Sequence, residues 1–339
     1  MHTTRFGAAY VVAVFVLTAC CLILACAPAD KPAAPPGLGY LAMAYDTESG
    51  VIVLYGGQRR DYSMMSTVST TWVYDCTTSV WKKMQPLGSP PAAAGHAMAY
   101  DAESDRVVLF CGETWAYDYN SNSWEKKNPE RAPVAAFGYS VAYDIESDRI
   151  VLFGVPSCDT WVYDLNSDSW IAMKPAISPP RRQYQSLAYD AESDRVVLFG
   201  GGAYGGGTLS ASQDYAAVLD DTWTYDYNTN FWEEYKPTTR PEQRVYHTMT
   251  YDSAIDRVVL FGGWSYDSGI PIDNKVWVYD LNKNSWETIQ VEEKLTPVRK
   301  HAMAYDAEAN LIVIYGGISG PPQKGGEPSF MKNLQAFRL

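Results

Sequence analysis

The stretch AMAYDAESDRVVLFCG at residues 97–112 returns as VAYDIESDRIVLFG at 141–154 and as LAYDAESDRVVLFGG at 187–201. Looser copies stand at 42–57 (AMAYDTESGVIVLYGG), 248–263 (TMTYDSAIDRVVLFGG) and 302–317 (AMAYDAEANLIVIYGG). Their anchoring tyrosines are Tyr45, Tyr100, Tyr143, Tyr189, Tyr251 and Tyr305, so successive steps are 55, 43, 46, 62 and 54 residues. A self-similar period in this range is the signature of a repeat array. Function must therefore be sought where the copies differ.

Each copy contains four apolar runs separated by turn residues, the pattern of strands. In the second copy strand A is 96–100, and the turn Asp101–Asp105 leads to strand B at 106–110. Strand C is 114–118, and Asn120–Asn122 turns into strand D at 123–125. The C–D unit recurs as TWVYDCTTSVW (71–81), TWVYDLNSDSW (160–170), TWTYDYNTNFW (222–232) and VWVYDLNKNSW (276–286). Four-stranded antiparallel meanders in series cannot bury two faces alone. They do so by standing face to face around an axis, which predicts an all-β, six-bladed propeller. After Asn333–Arg338 the chain ends at Leu339 without a fourth strand, so the last blade is expected to have three. The proline-rich stretch 27–36 is a poor candidate for lending one.

Composition sets limits. The net charge of −12 lacks the basic stripe that a nucleic-acid partner would demand, and the 11 Trp and 25 Tyr are accounted for by the repeat. The N-terminus stands apart: Arg5 precedes an unbroken apolar stretch from Gly7 to Cys26, followed by a Pro/Ala-rich linker over 27–38. Residues 1–26 read as a secretory leader or a membrane anchor, and the propeller occupies 39–339. Leu17–Cys20 and Ile23–Cys26 both resemble the bacterial lipoprotein box, which would place a lipid on Cys26, where a polar tether follows. A simply cleaved leader is the alternative. Either way the propeller is expected outside the cytoplasm, as a monomer, meeting the membrane only through this terminus. Cys76, Cys111 and Cys158 remain, an odd number that allows one bridge. Cys111 and Cys158 sit at the B–C ends of adjacent blades and are the expected pair.

The chain resembles the kelch-repeat β-propeller family, which includes the propeller of galactose oxidase. The matching features are the double glycine ending strand B (Gly56-Gly57, Gly200-Gly201, Gly262-Gly263, Gly316-Gly317), the Tyr of strand C and the Trp of strand D. Cys111-Gly112 and Gly154-Val155 depart from the double glycine. The copper constellation of galactose oxidase does not map residue by residue onto this chain, and nothing singles out the catalytic groups of kelch-type sialic-acid epimerases. No cofactor or metal is therefore expected.

A meander places A–B and C–D turns on one face, and B–C loops and D–A linkers on the other. The A–B turns hardly vary, whereas the B–C segments do. They are short in blades 2 and 3 and long in blades 1 (58–70), 4 (202–220), 5 (264–274) and 6 (318–332). Variable loops on a rigid frame are where binding resides, and these four blades are contiguous around the ring. The candidate contacts are Arg59, Arg60, Tyr62, Tyr204, Trp264 and Tyr266 in the loops, with Arg182, Tyr184, Arg244, Tyr246, Arg299 and Lys300 in the linkers, because arginine and aromatic side chains anchor recognition surfaces. The same linker residues can also simply pack the funnel mouth. Asp61, Asp214, Asp220, Asp221, Asp267 and Asp273 share this face. His96, His247 and His301 occupy one repeat position that elsewhere holds Leu41, Tyr139 and Gln185, which points to packing and hydrogen bonding before metal ligation. The expected function is a binding or scaffold module for a protein or glycan partner. The alternative is a carbohydrate-active enzyme, epimerase- or oxidase-like, using the central mouth.

Overall fold

Strand B is apolar at every position after its first, so alternation must send apolar side chains to both faces of each blade. In blade 1, Ile52 and Leu54 pack with Val313 and Tyr315 of blade 6, while Val53 and Tyr55 pack with Leu109 and Trp124 of blade 2. The computed structural model describes residues 34–61, 64–134, 137–154, 159–203, 217–265, 274–320 and 329–339. Among these there is no helix. Six antiparallel sheets follow one another in sequence order, the first five folded A-B-C-D and the sixth A-B-C, with strand A innermost. Their A strands are Ala42–Asp46, Ala97–Asp101, Ser140–Asp144, Ser186–Asp190, Thr248–Asp252 and Val298–Asp306, and the last packs against the first to close the ring. The hydrophobic core is thus split into six clusters, one at each blade interface.

The strand D tryptophan is what couples neighbouring blades. Trp124, Trp170, Trp232 and Trp286 are buried, and each donates its indole N–H to the strand C threonine of the preceding blade. These bonds run to Thr71, Thr114, Thr160 and Thr222 at 2.8–3.0 Å. The same rings lie against the last strand B aromatic of that blade, Tyr55, Phe110, Phe153 and Phe199, with centroids 5.1–5.2 Å apart. Trp81 of blade 1 makes the equivalent contact with Tyr315 of blade 6 at 4.9 Å, so the seam follows the same rule.

Blade 6 has three main strands, Val298–Asp306, Leu311–Ser319 and Leu334–Phe337, as expected. A two-residue strand, Ser329–Phe330, pairs with the far end of the second. The seam needs no lent strand, because residues 35–41 run as the D–A linker that blade 1 would otherwise lack. Tyr315 donates its hydroxyl to the carbonyl of Pro35 at 2.5 Å, as Tyr55 does to that of Pro90 at 2.7 Å. The double glycines have the same purpose. The second glycine donates its N–H to the next linker, from Gly57 to Ala93, Gly201 to Arg244, Gly263 to Val298 and Gly317 to Leu38, at 2.7–2.9 Å. At Gly262, with φ of 68°, a Cβ would stand 2.3 Å from the Val298 carbonyl oxygen. Close approach and left-handed backbone are both required there. Cys111 escapes both requirements: its φ is not positive, and its N–H closes a tight turn onto the Glu113 carbonyl at 3.0 Å.

The A–B turns are self-capped. In five of the six blades the Asp ending strand A accepts the N–H three residues on, as Asp101 does from Ser104, and in five the strand A tyrosine donates to the residue five positions on, as Tyr100 does to Asp105. This accounts for the repeated DxESD turn without a bound cation. The long B–C segments differ from simple loops. In blade 1 they hold the hairpin Gln58–Asp61/Met64–Thr67, and in blade 4 the B and C strands run on to pair Ala203 with Ala217 past a bulge at Gly200.

Truncating the tryptophan should therefore loosen two blades at once. Trp170→Ala is expected to cost about 3–5 kcal/mol, and Thr114→Val, which removes only the hydrogen bond, about 1 kcal/mol. Denaturant unfolding checks both, and an unchanged midpoint for Trp170→Ala would contradict the coupling. Gly262→Ala should destabilise by more than about 1 kcal/mol, since it adds both a clash and backbone strain.

Candidate functional site

The D–A linkers converge on the propeller axis and hydrogen-bond to one another. The residue before the repeat position of Leu41, His96, Tyr139, Gln185, His247 and His301 is Tyr40, Gly95, Gly138, Tyr184, Tyr246 or Lys300 in blades 1 to 6, and all six have left-handed φ, from 56° to 82°. Backbone N–H groups pass the chain from linker to linker: Tyr40 to Lys300, Lys300 to Tyr246, Tyr246 to Tyr184, Tyr184 to Gly138 and Gly95 to Tyr40, at 2.8–3.1 Å. Glycine takes this conformation freely, whereas a tyrosine or lysine there is strained by roughly 1–2 kcal/mol. Blades 2 and 3 carry glycine. Blades 4, 5, 6 and 1 carry the strained side chains.

Those four side chains form one cluster at the mouth. The rings of Tyr184 and Tyr246 lie 4.2 Å apart, and Tyr40 stands edge-on to Tyr246 at 5.8 Å. The Lys300 ammonium lies over both Tyr40 and Tyr246, 4.3 and 4.7 Å from their centroids, a double cation–π contact. Burial, and then the adjacent Arg299 charge, pull its pKa down to about 8. Phe137, 63% exposed, stands beside the glycines of blades 2 and 3. Behind the cluster lies a cavity of about 100 Å³. At the opposite end of the axis a wider one, about 370 Å³, is walled by strand A residues including Met43, Met98, Met249 and Met303.

The histidines form the layer below. His96 and His247 bond through Nε2 to the carbonyls of Tyr55 and Phe199 at 3.0 and 3.1 Å, the contact Gln185 makes to Phe153 at 2.8 Å. His301 bonds Thr248 Oγ1 instead, at 2.6 Å. Burial holds all three neutral, with His96 near 4 and His301 near 3. They are structural links between blades. Among the described residues no three His, Cys, Asp or Glu are placed to hold a metal ion.

The arginines named from sequence divide sharply. Arg182 and Arg244 are almost fully buried, at 0% and 1% exposure. Arg182 makes a bidentate pair with Asp221 at 2.6 and 2.7 Å and donates to the Gly200 carbonyl. Arg244 donates to the carbonyls of Gly262 and Glu242. Both bind their own framework, and replacing Arg244 would unsettle the fold before it touched a ligand. Arg299 is buried with its guanidinium stacked on Trp264 at 3.9 Å, and Asp220 is paired with Arg240 at 2.7 Å. Arg59 and Arg60 lie on the blade 1 hairpin, Arg59 exposed, beside Met64 at 73% and Met65 at 45% exposure. Tyr184, Tyr246 and Lys300 are brought together. Tyr62, Tyr204, Tyr266 and Cys26 lie outside the described residues, as do Asp214, Asp267 and Asp273. Cys111 has a free thiol facing the Glu113 carbonyl at 3.8 Å, and its expected partner Cys158 also lies outside the described residues. Cys76 is a buried free thiol. The sequence reading passed over Tyr40 and Phe137. Aligning the linkers on the His96 repeat position finds Tyr40, since two copies have glycine at its place.

Unfolded histidine titrates near 6.5, so between pH 6.5 and about 4 the unfolded chain binds protons that folded His96 refuses. Stability present above pH 6.5 should fall as pH drops through this window, by about 1.4 kcal/mol per unit for each buried histidine. His96→Gln keeps a donor for the Tyr55 carbonyl, as Gln185 does in its own blade, and should flatten the slope by one histidine's share. Denaturant midpoints at pH 7 and 4.5 test this, and an unchanged slope in the variant would refute the assignment.

Comparison with known proteins agrees with this architecture. Residues 155–337, more than half of the chain, match the KLHDC2/KLHL20/DRC7 Kelch-repeats domain, and residues 41–88 match the Kelch motif. Kelch domain-containing protein 10 of Homo sapiens is 29% identical over 125 residues, which is 35% of this chain and 27% of that protein. The same protein of Rattus norvegicus is 29% identical over 35% of this chain and 29% of its own length. Mei4-dependent protein 6 of Schizosaccharomyces pombe is 22% identical over 34% of this chain and 18% of its own. The match therefore spans less than a third of each relative. With six blades, the double glycines and the Tyr/Trp pairs in place, the chain belongs to the kelch-repeat propeller family.

Proposed function

We propose that this propeller is a binding module that docks a protein partner on its B–C/D–A face, centred on the axial mouth. The observation that carries this is the asymmetry of the mouth. Tyr184, Tyr246, Lys300 and Tyr40 come from contiguous blades 4, 5, 6 and 1, the same blades whose B–C segments are long, and they hold left-handed backbone that glycine would adopt without strain. Strain kept at one place in a repeat marks a site. Membership in the kelch family supports a protein partner, since its propellers generally bind proteins. An open aromatic mouth with one cation, rather than a closed pocket of converging acids and bases, favours recognition over carbohydrate catalysis. A glycan remains the second ligand class. The N-terminal segment would export the propeller and tether it, through a lipid on Cys26.

Replacing Tyr40 and Tyr184 together by glycine removes the aromatic mouth while suiting the backbone. It should weaken capture of the partner at least about tenfold, whereas Glu103→Lys and Glu192→Lys on the A–B turns should leave it unchanged. Affinity capture combined with a glycan array reads both ligand classes, and loss of binding only in the turn variants would place the partner on the opposite face. Cys26→Ala should release the protein from the membrane fraction and abolish fatty-acid incorporation. Continued incorporation would exclude that lipid site.

A further inference from the structure

Lys300 is at once strained, desolvated and, among the described residues, without a carboxylate partner. Its backbone is held at φ 60° where blades 2 and 3 use glycine. Its ammonium contacts two aromatic faces and makes no hydrogen bond or ion pair to a described residue. It lines the mouth cavity of about 100 Å³, whose other described walls include Tyr40, Tyr184, Tyr246, His247 and His301 but no carboxylate. A lysine amine becomes a nucleophile when burial and a neighbouring cation disfavour its protonated form. Both causes act here, the cation being Arg299.

We propose that Lys300 is a carbonyl-capturing amine, forming a reversible imine with a small aldehyde admitted at the axial mouth. The neutral Nζ lone pair attacks the carbonyl carbon, making the C–N bond. The carbinolamine then loses its hydroxyl as water and its N–H proton to solvent, leaving C=N, and no oxidant or reductant is consumed. Protonation of the imine nitrogen gives an iminium cation, which the faces of Tyr40 and Tyr246 would hold as they now hold the ammonium. The charged and titratable groups around Lys300 are Arg299 on its own linker, the neutral imidazoles of His247 and His301 on the layer below, and the phenols of Tyr40, Tyr184 and Tyr246 on the neighbouring linkers. Burial keeps the imidazoles of His247 and His301 neutral, so neither places a charge beside the amine.

Short pulses of propanal with cyanoborohydride, applied to the full-length protein and mapped by peptide mass, read the reaction at every lysine. At pH 7, Lys300 should be alkylated at least about tenfold faster than exposed Lys82, Lys236 and Lys332, with a rate that rises with pH to a midpoint near 8. Replacing Tyr40 and Tyr246 by leucine should slow Lys300 towards the others, because water regains the amine. Labelling of wild-type Lys300 no faster than those three lysines, or a rate still rising above pH 10, would overturn the proposal even if that double variant did not fold. Neither result bears on partner docking, which is read without aldehyde.

Discussion

No blade of this protein can bury both of its faces by itself, so every blade depends on the one beside it and the ring must close. The strand D tryptophan satisfies this condition most directly. One side chain fills the space between two sheets, stacks on an aromatic of the preceding blade and gives its single polar hydrogen to that blade's threonine. Desolvating the indole N–H without that acceptor would take back part of what the ring's burial contributes. Where blade 6 lacks a fourth strand, Trp81 still reaches Tyr315, and residues 35–41 supply the missing linker. Among the described residues, closure rests on backbone and aromatic contacts along the seam and on no shared strand.

The same economy of contacts sets up the mouth. Linkers must come close enough to accept from the double glycines, and that approach turns the next residues into a belt around the axis with left-handed φ. Six positions become geometrically equivalent, but their occupants do not. Two glycines sit at no cost, while three tyrosines and a lysine are held against their own preference. An interaction network that is symmetric in backbone thus presents an asymmetric set of side chains, and the asymmetry falls on contiguous blades.

Burial separates residues that look alike in the chain. Arg182 and Lys300 both lie in D–A linkers and both carry a positive charge. Arg182 faces Asp221, two carbonyls complete its shell, and it becomes part of the frame. Lys300 lies two residues further along its linker, on the belt, with aromatic faces in place of a carboxylate. One charge is neutralised by geometry and the other is merely sheltered, which is why only the second gives the mouth its character.

The repeat by itself determined the blade count, the strand positions, the inward tryptophans and the three-stranded last blade, because period-2 apolar runs and turn residues are local signals copied six times. It also located the asymmetric face, through loop lengths that differ between otherwise equivalent blades. It could not tell Arg244 from Lys300, since burial is decided by which carbonyls and carboxylates the neighbouring blade brings within reach. Nor did it mark Tyr40, whose importance comes from meeting Tyr246 and Lys300 across the axis, from linkers more than two hundred residues away in the chain. Contacts across a closed ring have no trace in local pattern, and only the tertiary structure decides them.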